Sequence, residues 1–161
     1  MRRIRVIPVL LLQGAGLVKT VKFKNSTYVG DPLNAVKIFN EKEVDEIAVL
    51  DIYASKKKSS PQFSRISDIA GECFMPLAYG GGISSVDEIK KLLNSGIEKA
   101  IINTAAFYNP QLITESAMRF GSQSILVSID VKKNLLGRYL VHVCSGEFNT
   151  KIDPVTYANK A

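Results

Sequence analysis

The chain has 161 residues, with 21 Lys and Arg against 15 Asp and Glu, and a formal net charge of +6. Hydrophobic residues make up 46% and charged residues 22%, the balance of a globular domain with a core, which excludes disordered, collagen-like and coiled-coil chains. The longest apolar run, Val6 to Leu12, is broken by Pro8 and falls far short of the roughly 20 residues a membrane span needs.

That run ends the first predicted strand, Ile4–Leu12. It leads through Gln13-Gly14-Ala15-Gly16 into the charged segment Lys19 to Lys24 with no small-residue cleavage site, so no secretory leader is read and a cytoplasmic protein is expected. Residues 13–30, with three glycines, read as an extended loop. Asp31-Pro32 places a capping side chain before a proline at the first helical position, and Leu33, Val36, Ile38 and Phe39 give the following helix an apolar stripe. The second strand is Ile47–Ile52, followed by Lys56-Lys57-Lys58 as a solvated loop and a helix start at Ser60-Pro61. The third is Met75–Tyr79, then Gly80-Gly81-Gly82 and a capping box of Ser85 with Glu88 ahead of the stripe Val86, Ile89, Leu92 and Leu93. The fourth strand is Lys99–Asn103, with Asn109-Pro110 opening its helix, and the fifth is Ser124–Asp130.

Alternating strands and helices imply a parallel sheet, and strands apolar nearly end to end imply helices covering it. Between Lys132 and Glu147, Asn134, Gly137 and Gly146 surround the weakly alternating Arg138–Val143, which reads as an inserted hairpin. A last helix starts at Asp153-Pro154 and reaches Ala161 after barely two turns, so residues 1–161 are expected to be the first part of a longer domain. Cys73 and Cys144 stand far apart with no His or Cys at ligand spacing, and neither a zinc site nor a disulfide framework is read. The lysines are spread along the chain, so nucleic acid is not an expected partner. A phosphorylated metabolite suits the positive charge.

In parallel α/β folds reactive groups gather at the carboxyl ends of the strands, which here carry Asp51, Gly80-Gly81-Gly82, Asn103-Thr104 and Asp130. The glycines open a capped helix, where free amides and the helix dipole favour an anion over a merely tight turn. Asn103-Thr104 either adds donors to the same anion or only turns the chain. Asp130 is either a proton-carrying carboxylate or one paired with Lys19 or Lys132. Asp51 carries the same ambiguity, and His142, the only histidine, has no visible catalytic partner. At the opposite strand ends stand Arg5, Glu46 and Lys99, which reach solvent unless a closed barrel gathers them into a salt-bridged plug.

Taken together, Ile7-Pro8, Leu17-Val18-Lys19, Gly30-Asp31-Pro32, Leu50-Asp51-Ile52 with Ala54-Ser55, Gly80-Gly81-Gly82-Ile83, Ile102-Asn103, Asn109-Pro110, Phe120-Gly121-Ser122-Gln123 and Ile129-Asp130 resemble the cyclase subunit of imidazole glycerol phosphate synthase, a (β/α)8 TIM-barrel family of histidine biosynthesis. The sister isomerase of that pathway shares the triple glycine but departs at Leu50 to Ser55. The resemblance implies an α/β fold of which this chain supplies about the first five βα units, and no cofactor; the first and last strands of such a piece would expose open parallel edges, so self-association is expected. It implies a glutaminase partner whose ammonia passes along the barrel axis, gated by residues matching Arg5, Glu46 and Lys99, to a phosphorylated small molecule held by Lys19, Gly81, Gly82, Asn103 and Thr104. Of the family's two acid–base aspartates, Asp130 matches the second, while the first falls on Leu11, which moves no proton. That departure and the segment Gly16 to Phe23 resemble a paralogous branch associated with lipopolysaccharide and acetamidino-sugar synthesis, in which the barrel delivers ammonia or serves as a glutaminase-activating scaffold.

Overall fold

The computed structural model describes residues 4–161. Five parallel strands form its spine: β1 (Val9–Gln13), β4 (Ile47–Asp51), β5 (Leu77–Gly80), β6 (Lys99–Ile102) and β7 (Ile125–Val127). They pair in chain order, with Leu11 beside Leu50, Val49 beside Tyr79, Gly80 beside Ile101 and Ile101 beside Leu126. This order puts every strand's carboxyl end on one rim and its amino end on the other, and those rims carry the two sets of polar residues. Ile47, Val49, Leu77, Tyr79, Ala100 and Ile102 from the strands meet Val36, Ile66, Ile69, Ile89, Leu92 and Leu112 from the helices in one buried core.

The first strand is shorter than the apolar run predicts. Pro8 has no amide to donate and gives only its carbonyl, to Ala48, while the Val6 amide bonds the Asp45 carboxylate, so regular pairing begins at Val9. Residues 13–30 are not a loop. They form β2 (Gly16–Val21) and β3 (Lys24–Gly30), antiparallel and laid against β1 through Leu11–Val18 and Leu12–Leu17. β3 is exposed almost throughout, so it lacks the buried apolar signal of the other strands, and the turn needs Lys22 and Phe23 in the left-handed region, where neither residue type is usual.

The helices are α1 (Pro32–Glu41), α2 (Ala54–Lys57), α3 (Phe63–Glu72), α4 (Val86–Asn94), α5 (Thr104–Tyr108), α6 (Gln111–Phe120) and α7 (Pro154–Ala158). Asp31 accepts from the Leu33 and Asn34 amides at 2.9 and 3.1 Å, and Asp153 from Val155 and Thr156 at 3.0 and 3.1 Å, the expected caps. Ser85 caps α4, accepting from the Glu88 amide at 3.3 Å, and Glu88 reaches back to the Ser84 amide and hydroxyl and to the Ser85 backbone. Ser60 and Asn109 are not caps: α3 and α6 start later, behind Gln62 and Pro110, and Asn109 instead closes α5, its amide donating to the Ala105 carbonyl. In α1, Ile38 is 55% exposed, because two residues from Val36 turn it about 200° around the helix, away from the core.

The fifth predicted strand divides. β7 stops at Val127, and Asp130 begins β8 (Asp130–Lys133), which forms an antiparallel ribbon with β9 (Tyr139–Val143) and β10 (Phe148–Asn149). The expected hairpin is therefore present, extended by a third strand. No described helix is long and apolar enough to cross a membrane.

Candidate functional site

At the carboxyl rim the strand ends surround a cavity of about 240 Å³. Its floor is apolar, with Leu11 from β1, Leu50 from β4 and Ile101 from β6, and its polar walls include Asp51, Gly81, Asn103, Ser128 and Asp130. Thr20 and Phe23 close it from the β2–β3 side, and Ser145 and Glu147 from the ribbon. Burial pushes the Asp130 carboxyl above the ordinary carboxylate range, and the charge of nearby Lys132 only partly offsets this. Such a carboxyl holds a proton to higher pH than a solvated one, the property a general acid needs.

The sign of that shift gives a stability test. A raised folded-state value means that the protonated form suits the fold, so stability is full below the unfolded carboxylate value and declines as pH rises through the folded one. Asp130→Asn is therefore expected to raise the urea midpoint at pH 7 and to give no gain at pH 3, measured by circular dichroism.

Asp51, open to two readings from sequence, turns out to cap locally: its carboxylate accepts from the Tyr53 and Ala54 amides at 2.9 and 3.1 Å and fixes the start of α2. The predicted anion-binding residues divide between this cavity and a second of about 380 Å³ that shares Ser55 with it. Gly81 and Asn103 line the first, Gly82 and Thr104 the second. The amides of Gly81 and Gly82 donate to no other described residue, which leaves them available to an anion. Asn103 donates to the Ser128 carbonyl at 2.9 Å, and the Thr104 hydroxyl accepts from the Cys144 amide at 3.0 Å, so both side chains are already engaged in holding the rim together. Lys19 is not brought into the cavity. It is exposed on β2 beside Thr27 while its neighbour Thr20 lines the wall, since adjacent strand residues point to opposite faces.

Both glycines are required by the backbone itself. A Cβ on Gly81, at φ +125°, would stand 2.5 Å from the Asp51 carbonyl oxygen, and one on Gly82, at φ +72°, would overlap the Ser59 carbonyl oxygen. Gly82→Val is thus a folding variant and no clean probe of binding. It is expected to cost at least about 2 kcal/mol in urea unfolding, where an ordinary rim substitution costs under about 0.5 kcal/mol.

At the amino rim Glu46 is 2% exposed. Lys99 Nζ stands 2.5 Å from both of its carboxylate oxygens and Arg5 Nη1 3.6 Å from one of them. The three charges named from sequence thus meet at one point. Sequence reasoning missed Ser145, which lines the cavity and donates to the Ile52 carbonyl at 2.6 Å, and Glu147, which pairs with Lys56 at 2.5 Å. Both lie in the ribbon's second turn, where Cys144, Ser145 and Gly146 are successively left-handed, and only Gly146 announces such a turn.

Five parallel strands paired in chain order, each followed by helical cover and with polar groups gathered at the carboxyl rim, are the first βα units of the (β/α)8-barrel class to which the family match assigns the chain. The chain belongs to the histidine biosynthesis protein family, whose model matches residues 5–161. It is 51% identical over 158 residues to a Pseudomonas aeruginosa protein provisionally named imidazole glycerol phosphate synthase subunit hisF2, covering 98% of this chain and 63% of that one. A Vibrio vulnificus protein, provisionally named subunit hisF3 of the same synthase, is 50% identical over 161 residues, covering 99% of this chain and 62% of the relative. Imidazole glycerol phosphate synthase subunit HisF of Helicobacter hepaticus is 41% identical over 157 residues, covering 98% and 62%. The chain therefore spans about six-tenths of the length of the curated relatives it matches.

Proposed function

We propose that the protein is an ammonia-receiving synthase subunit of a glutamine amidotransferase, acting on a phosphorylated small molecule as imidazole glycerol phosphate synthase does. One observation carries this reading: the Glu46–Lys99–Arg5 cluster occupies the rim opposite the cavity that holds Asp130. A buried carboxylate held by two cations is costly to assemble and unnecessary for a barrel's stability, which favours a role in controlling passage. In this reading a glutaminase subunit docks at the amino rim, Gly81 and Gly82 hold a phosphate by their amides, and Asp130 supplies a proton at the acceptor. The test is to add the full-length protein to its glutaminase subunit and measure glutamine hydrolysis. Stimulation of at least about tenfold is expected, and an unchanged rate contradicts the reading.

A second reading is favoured by Leu11. With leucine at position 11 of the cavity that Asp130 also lines, half of a two-carboxylate acid–base pair is absent, as suits a subunit that conducts ammonia, or only activates the glutaminase, for acetamidino-sugar synthesis in the lipopolysaccharide setting. Supplying a ribulosyl-phosphate substrate with ammonium salt separates the two: imidazole product supports the first, and its absence with intact glutaminase stimulation supports the second. For the chain by itself we propose self-association along β7, whose outer edge pairs with no described strand. The edge of β1, expected to be open, is instead covered by β2. A light-scattering mass of twice the 17.7 kDa chain or more is expected, and a monomer contradicts it.

A further inference from the structure

We propose that the tip of the β8–β9 hairpin is a peripheral membrane contact that seats the protein on an anionic phospholipid surface. Leu135 and Leu136 form the tip, 106% and 82% exposed. Their exposure is built into the turn, because the Asn134 side-chain oxygen accepts from the Leu136 and Arg138 amides at 3.0 and 2.9 Å while its own amide donates to the Arg138 carbonyl at 2.8 Å. Gly137, at φ +80°, closes the turn by donating to the Asn134 carbonyl at 3.0 Å. Two adjacent leucines are thus presented to solvent by a turn whose backbone is already bonded to itself.

The charge around the tip selects the surface it meets. Residues 131–146 contain no Asp or Glu, while Lys133 and Arg138 flank the leucines and are both exposed. Lys133 Nζ stands 5.6 Å from the centre of the Tyr139 ring, which is itself 58% exposed. Two apolar side chains at the point, with an ammonium, a guanidinium and a phenol behind them, match the layers of a bilayer interface: leucine enters the acyl boundary, tyrosine sits among the headgroups and the cations meet lipid phosphates. A convex point of this kind needs a dedicated pocket on a protein partner, whereas a lipid surface yields to it. Lys132 serves the other end of the ribbon, where it donates to the Gly146 carbonyl, and Asp130 lies three residues behind Lys133 on β8. Contact at the tip therefore holds the cavity wall about 10 Å behind the point of insertion, at the rise of an extended strand.

This contact does not depend on the chemistry at Asp130. Full-length protein is sedimented at physiological salt with vesicles of phosphatidylcholine and phosphatidylglycerol in equal parts, and with vesicles of phosphatidylcholine alone. Binding to the anionic vesicles is expected to be at least about tenfold tighter than to the neutral ones. Leu135→Ser combined with Leu136→Ser is expected to weaken it at least about tenfold, and Lys133→Gln combined with Arg138→Gln about tenfold. Each pair should leave the thermal midpoint unchanged, since all four side chains face solvent. Binding that survives loss of the leucines would be diffuse attraction of a chain with a net charge of +6, and overturns the proposal. So does an absence of binding to either vesicle, or a lowered thermal midpoint in the leucine variant, which would mean that the tip packs against protein.

Discussion

Replacing Lys99 by alanine is expected to cost the fold about 3 kcal/mol, because it strips the close partner from a carboxylate with almost no access to water. Glu46 is 2% exposed, and both of its oxygens lie 2.5 Å from Lys99 Nζ, while Arg5, at 3.6 Å, has a side chain 61% exposed and screens the charge only weakly. Urea unfolding of Lys99→Ala should show a clear loss, and the double variant Lys99→Met with Glu46→Gln should recover most of it by removing the stranded charge. If the single variant unfolds like the parent, Glu46 is not held as described. Arg5→Ala, acting on the exposed side of the cluster, is expected to cost under about 1 kcal/mol. It is therefore the variant with which to probe passage through the rim in the full-length protein, since a change in nitrogen transfer would not be confounded by loss of fold.

The second large effect concerns Leu11. Leu11 lies in β1 beside Leu50 of β4 and lines the cavity that Asp130 shares, so a carboxylate at this position would stand in the same cavity as the first. Removing one member of an acid–base pair typically costs about 10²- to 10⁴-fold in rate. Full-length protein given a ribulosyl-phosphate substrate and ammonium salt should therefore form imidazole product slower by that factor than the full-length Helicobacter hepaticus HisF. Leu11→Asp should recover part of the rate. Near-normal turnover of the parent protein would show that Asp130 suffices alone.

Much of this arrangement was legible because parallel strands state their own ends. An apolar run followed by glycine, Asn103 or Asp130 places polar groups on one rim, and a charge just before the run, as at Arg5, Glu46 and Lys99, places them on the other. What stayed hidden depends on contacts between distant segments. β3 has no inward face to pattern it, so only its ladder with β2 makes it a strand. Lys19 and Thr20 differ in role by the strand's alternation and a register shift between Lys19 and Val21, neither of which local composition reveals. Ser145 and Glu147 reach the site only because a ribbon folds back over it, bonding residues more than 90 positions away. Asp51 and Asp130 look alike in sequence, and they separate because one finds two helix amides while for the other burial outweighs the nearby charge of Lys132.

The proposed passage of ammonia from rim to rim is tested most directly by isotope competition. The full-length protein and its glutaminase subunit are supplied with amide-¹⁵N glutamine in the presence of excess unlabelled ammonium, and the ¹⁵N content of the nitrogen-containing product is measured by mass spectrometry. An internal route predicts product that keeps nearly all of its label whatever the ammonium concentration in solution. Label diluted in proportion to the added ammonium would mean that the nitrogen equilibrates with solvent before it reaches Asp130 and that no internal route joins the two rims.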